Sequence, residues 1–143
     1  DLAVRFSKCC SPVPGDEIVG FVTRGRGITI HRTDCINVLN LPEIERSRLI
    51  DAEWQGVEED NSAATYSTEI SIFANNRIGM FVDISKIFTE REIDIKTMNS
   101  RVNKQGKATI TMSFDIHGIE ELNNLMAKLR QIDGVLDIER TTG

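Results

Sequence analysis

The sequence predicts an α+β chain of two units: a small, β-hairpin-rich cysteine module, then a βαββαβ domain. Three observations carry this. All three cysteines and one of the two histidines fall within the first 35 residues. Residues 107–117, "KATITMSFDIH", alternate strictly between apolar and polar, as a strand with one covered face requires. Residues 78–92 and 119–132 instead repeat apolar residues at helical spacing.

In the first unit, "EIVGFVT" (17–23) and "ITIHR" (28–32) are β-branched and aromatic runs. They flank "RGRG" (24–27), whose glycines permit positive φ, so the segment reads as a hairpin. "TDCINVLNL" (33–41) opens a short helix with Thr33 or Asp34 as N-cap. "RLIDAEW" (48–54) closes the unit as a strand. The unit is bounded at 1–56, and the acidic, small-residue stretch 57–64 reads as a linker. A core of about sixty residues is marginal by burial alone and gains from a staple such as a metal.

The second unit, 65–143, opens with "TYSTEISIFAN" (65–75), a strand with Ile70 and Ile72 on one face. Phe81, Ile84 and Phe88 give the following helix its buried stripe. "DIKTMNSRVN" (94–103) is a strand. In 107–117, Ala108, Ile110, Met112, Phe114 and Ile116 point inward. The helix 119–132 buries Leu122, Leu125, Met126 and Leu129, and "GVLDIERTT" (134–142) is the last strand. The order is that of the split-βαβ, ferredoxin-like pattern.

Composition narrows the function. The chain has 143 residues, 40% hydrophobic and 27% charged, with a net charge of -5. No apolar run suits a membrane span or signal peptide, so a cytoplasmic protein is expected. The chain begins at Asp1 without Met and reads as part of something longer. Three cysteines do not make a disulfide framework. An acidic total does not indicate a wholesale nucleic-acid surface, so any basic face must be local and in the first quarter of the chain.

Cys9, Cys10, His31 and Cys35 are the soft donors that tetrahedral zinc prefers. Set against this, adjacent cysteines are an uncomfortable half-site. The other reading makes them packing thiols and His31 a hydrogen-bonded strand residue. Arg24 and Arg26 on the glycine-rich tip, with Arg32 on the return strand, suit phosphate oxygens; the alternative is a solvated hairpin. "ANNRIGMF" (74–81) sets Gly79 before a helix, where free backbone donors accept an anion or form an ordinary capped turn. His117 reads as a plain strand-end residue. No nucleophile elbow or phosphate-binding loop is present, so this chain is not expected to be an enzyme. A metalloenzyme is disfavoured because four protein ligands leave zinc no open position.

The stretch "VRFSKCCSPVPGDEIVGFVTRGRGITIHRTDC" (4–35) closely resembles the conserved-cysteine segment of the Rel/SpoT family, the stringent-response (p)ppGpp synthetase/hydrolases. The pattern is Cys-Cys-x-Pro-x-Pro-Gly-Asp, then Gly-x-Gly after an arginine, then His-Arg-x-x-Cys. Residues 65–143 look like the ACT domain that follows it. The resemblance implies a C-terminal regulatory region, its GTP pyrophosphokinase and hydrolase domains, with their Mg2+ or Mn2+, lying elsewhere in the parent. It implies a zinc-finger or ribosome-intersubunit module with Cys9, Cys10, His31 and Cys35 as zinc ligands. Ribosomal RNA is the implied partner of that module, and Arg24, Arg26 and Arg32 are the inferred contacts. It also implies a homodimer through the ACT domain. The effector would be a branched-chain amino acid, at Asn75, Asn76, Arg77, Ile78 and Gly79, with Asn99 a further candidate.

Overall fold

A computed structural model describes residues 3–54 and 64–141. Residues 57–63 of the expected linker lie outside the described residues. The first unit is a four-stranded sheet of order β1-β3-β2-β4. Its strands are β1 (Val4–Phe6), β2 (Ile18–Val22), β3 (Ile28–Arg32) and β4 (Leu49–Asp51). The expected hairpin is β2–β3, paired antiparallel from Ile18↔Arg32 to Val22↔Ile28. Gly27, at φ 83°, is required there: a Cβ would lie 2.1 Å from the Ala3 carbonyl oxygen. That close approach exists because β1, a strand the sequence did not announce, runs parallel to β3.

The helix expected over 33–41 is shorter. It is α1 (Ile36–Leu39), and its N-cap is Cys35, not Thr33 or Asp34. The Asp34 carboxylate is drawn to Arg32 instead, with oxygens 2.9 and 2.6 Å from Nε and Nη2. A 3-10 segment, Glu43–Arg48, leads into β4.

The second unit follows the expected order: β5 (Tyr66–Asn75), α2 (Met80–Glu90), β6 (Ile95–Val102), β7 (Lys107–Ile116), α3 (Ile119–Arg130) and β8 (Val135–Arg140). The sheet order is β6-β7-β5-β8, with every pairing antiparallel. All five residues expected inward on β7 are buried, as are Ile70, Ile72 and the four apolar residues of α3. One assignment shifts. Phe81 is 42% exposed, and Met80 takes the buried position with Ile84 and Phe88. Spacings of three and four residues both fit a helical stripe, so sequence spacing alone does not choose between Phe81 and Met80.

The two units are packed together. Val13, from the turn after the cysteine pair, is fully buried in the core of the second unit. The Pro14 carbonyl accepts the Ile119 N–H at 2.7 Å, satisfying one of the free donors at the start of α3. Gly15 lies so close to α3 that a Cβ would meet Ile119 Cγ2 at 2.0 Å. Phe6 stacks on Trp54 with centroids 5.4 Å apart, and Tyr66 meets both edge-on at 5.6 Å.

Candidate metal centre and basic hairpin

The parallel pairing of β1 with β3, continued by Ser7 N–H to the Ile30 carbonyl at 2.9 Å, carries the cysteine pair alongside His31. The strand then ends, and the turn into α1 returns Cys35 to the same point. Cys9 Sγ lies 3.4 Å from Cys35 Sγ and 3.5 Å from His31 Nδ1, and Cys10 Sγ lies 3.9 Å from His31 Nδ1. All four donor atoms fall within 4.8 Å of one another. Zinc–ligand bonds near 2.3 Å to sulfur and 2.0–2.1 Å to nitrogen, set tetrahedrally, imply S···S of about 3.8 Å and S···N of about 3.6 Å. The donor set and its spacing fit such an ion.

The adjacent cysteines are usable because the chain bends sharply after them. Ser11 adopts a φ of 48°, and both sulfurs face the same centre. Their surroundings differ. Cys10 is buried, and burial pushes its thiol up to about 12 despite the Arg32 N–H donated to Sγ at 3.3 Å. Burial also raises Cys35 and keeps His31 below its ordinary value, favouring the neutral imidazole that binds metal. Burial opposes ionisation of Cys9 too, but hydrogen bonds from Ser7, Asn37, Cys35 and Cys10 together bring it below its usual range. The Ser7 hydroxyl lies 2.7 Å from Cys9 Sγ.

Arg24 and Arg26 are exposed at the hairpin tip, and among the described residues nothing lies within 4 Å of a Cβ built on Gly25. The structure takes Arg32 away from them. It is 5% exposed and pairs with Asp34. Its Nη1 donates to the carbonyls of Cys10 and Thr141, both at 3.1 Å. Its guanidinium is thus spent inside the protein, holding the backbone of Cys10.

At the β5–α2 turn, Gly79 has φ 85°, and no side chain among the described residues caps α2. Asn75, Asn76 and Ile78 are exposed. Arg77 is engaged by the Asp133 and Ile78 carbonyls and the Asp83 carboxylate. The Asn75 amide oxygen accepts from Lys107 Nζ. Asn99 is not brought to this turn. It sits on β6 opposite Thr111, whereas Asn75 opposes Lys107 on the far side of β7. Sequence reasoning missed Ser7 and Asn37 beside Cys9, and Arg140. Arg140 grips Asp16 from β8 with Nη1 and Nη2 at 2.7 and 2.9 Å. No periodicity marks a partner 124 residues away.

Fold and cluster define a class: a Cys3His metal-type module joined to an ACT-like βαββαβ domain. Family models match both parts, the RelA/SpoT RIS domain over residues 1–55 and the ACT domain over 62–140. The chain belongs to the ACT-domain family and carries the RelA/SpoT RIS domain ahead of it. It is 37% identical to the GTP pyrophosphokinase of Escherichia coli (strain K12), over 100% of this chain and 19% of that protein. It is 35% identical to that of Haemophilus influenzae, over 98% of this chain and 18% of that protein. The chain therefore spans less than one fifth of these relatives' length. The ACT domain from GTP pyrophosphokinase of Chlorobium tepidum aligns with 26% identity and a TM-score of 0.48, covering 54% of this chain and 99% of that one. Among the described residues, no helix is long and apolar enough to cross a membrane.

Proposed function

We propose that this chain is a non-catalytic regulatory region of a cytoplasmic (p)ppGpp synthetase/hydrolase, and that its zinc-stapled module contacts ribosomal RNA. The exposed Arg24–Gly25–Arg26 tip supports this most directly. In an acidic chain, it sets two cations on a hairpin whose return strand carries the metal-ligand candidate His31. An arginine pair on a firm support suits phosphate binding, which positions a protein on RNA without reading its sequence. Arg32 is left out of this set because it is buried. Arg24→Ala with Arg26→Ala in the full-length parent is expected to weaken ribosome co-sedimentation about tenfold. The slope of log affinity against log salt is expected to flatten by roughly 0.7–0.9 for each phosphate that is no longer neutralised. Unchanged association would remove the hairpin from the interface.

A second reading, an amino-acid sensor acting through an ACT homodimer, draws on the uncapped start of α2 at Gly79 and on edge strand β6. An uncapped helix N-terminus suits a carboxylate. β6 exposes Met98 and Val102, at 38% and 51%, beside a strand edge that is unpaired among the described residues and can pair with a second copy. Calorimetry with valine, leucine and isoleucine should give heat that Gly79→Ala abolishes, with sedimentation reporting a dimer. A monomer with no heat at millimolar ligand would sink this reading. The hairpin reading stands first because Arg77 and Asn75 are already engaged within the chain.

A further inference from the structure

The segment from Cys10 to Asp16 belongs to both units at once. Cys10 is a candidate ligand and 1% exposed, and three residues later Val13 lies fully buried in the ACT core. Three residues span at most about 10 Å, and Pro12 and Pro14 remove most of the remaining freedom. Little movement of Cys10 can therefore be absorbed before Val13.

Two arginines close the arrangement from opposite sides. Arg32 follows the ligand His31, and its Nη1 bridges the Cys10 carbonyl to the Thr141 carbonyl just beyond β8. Arg140, the last residue of β8, holds Asp16 and reaches the Ser11 carbonyl at 3.2 Å. The Arg140 and Asp16 side chains are 11% and 9% exposed. Losing either leaves a largely buried charge without its partner, a costly state.

We propose that metal occupancy of the Cys3His cluster and docking of the ACT domain form one coupled equilibrium, transmitted by the Cys10–Asp16 segment and latched by Arg32 and Arg140. The proposal rests on the metal reading above. Coupling of this kind is reciprocal: if the ion favours the docked state, docking raises affinity for the ion by the same factor. Strain on the cysteine module would then reach the ACT domain without a ligand of its own.

Trp54, the chain's single tryptophan, reports on the joint. It stacks on Phe6, meets Tyr66 of β5 edge-on, and donates Nε1–H to the Asp16 carbonyl at 3.0 Å. The test titrates the 143-residue chain with Zn2+ against a chromophoric chelator, following Trp54 emission. Arg140→Gln and Val13→Ser, neither a ligand, are each expected to bind zinc roughly tenfold more weakly, within the usual range of coupling between sites. Removing zinc from the unaltered chain is expected to shift Trp54 emission to the red. If both variants bind zinc within about twofold of the unaltered chain, or emission does not move, the coupling is overturned while the metal site stands. An unaltered chain that takes up no zinc overturns the metal reading and the coupling with it. The emission arm needs no variant, so a variant that fails to fold leaves the proposal exposed to refutation.

Discussion

Cys35→Ser, or zinc removal with a chelator, is expected to unfold the sheet of residues 3–54 while leaving the secondary structure of the ACT domain in place. The first unit's own buried core is small. Its own buried cluster is Cys10, Cys35 and Val38, with Cys9, Val19 and Leu49 partly buried against it. Three of those six are candidate metal ligands. In units this small, ion binding supplies much of the folding energy, of order 10 kcal/mol for structural zinc. Losing the ion should cost the unit at least ~4 kcal/mol. The check is amide dispersion in NMR spectra with and without zinc. A Cys35→Ser chain that kept the β2–β3 hairpin signals without metal would show that packing thiols suffice. The pH dependence has a definite sign. Without metal, burial holds Cys10 up at about 12 and raises Cys35, so both are protonated near neutrality. Zinc must displace those protons, and its affinity should fall as pH falls.

Different parts of the molecule were legible to different degrees, for physical reasons. The alternation of 107–117 translated directly into a covered sheet face because two helices lie on one side only. The Cys9, Cys10, His31 and Cys35 cluster was legible because scarce residue types gather in one short stretch. β1 was not, since three exposed residues carry no period; parallel pairing to β3 alone defines it. Arg32 was misplaced at the surface because an arginine next to a glycine-rich basic tip reads as solvated. Its acceptors are the Asp34 carboxylate and the carbonyls of Cys10 and Thr141. Two of these come from remote segments, and a local window contains no trace of them. The same holds for Val13 and for the Asp16–Arg140 pair. Contacts between units are set by tertiary packing, and neither partner's neighbours announce them.

Phe114→Ala is expected to lower the stability of the ACT domain by about 3–5 kcal/mol, the range for truncating a fully buried aromatic. Phe114 is 0% exposed on β7, a central strand, and meets Phe88 of α2 edge-on with centroids 5.0 Å apart. That ring pair adds about 0.5–1.5 kcal/mol beyond area burial. Water is not expected to rescue the cavity. Thr68 lies opposite Phe114 in register, and its buried hydroxyl has no partner among the described residues. A trapped water needs two to four polar partners, and one hydroxyl between apolar neighbours falls short, so the cavity stays empty and costs the full amount. Phe81→Ala, one turn before Ile84 on the open side of α2, is the internal comparison. Its ring is 42% exposed, and the expected loss is under about 1 kcal/mol. Urea denaturation of the two variants separates them, with the midpoint falling and the slope unchanged. Equal losses would mean that the half-exposed Phe81 ring holds α2 to the sheet as firmly as Phe114 does, contrary to its exposure.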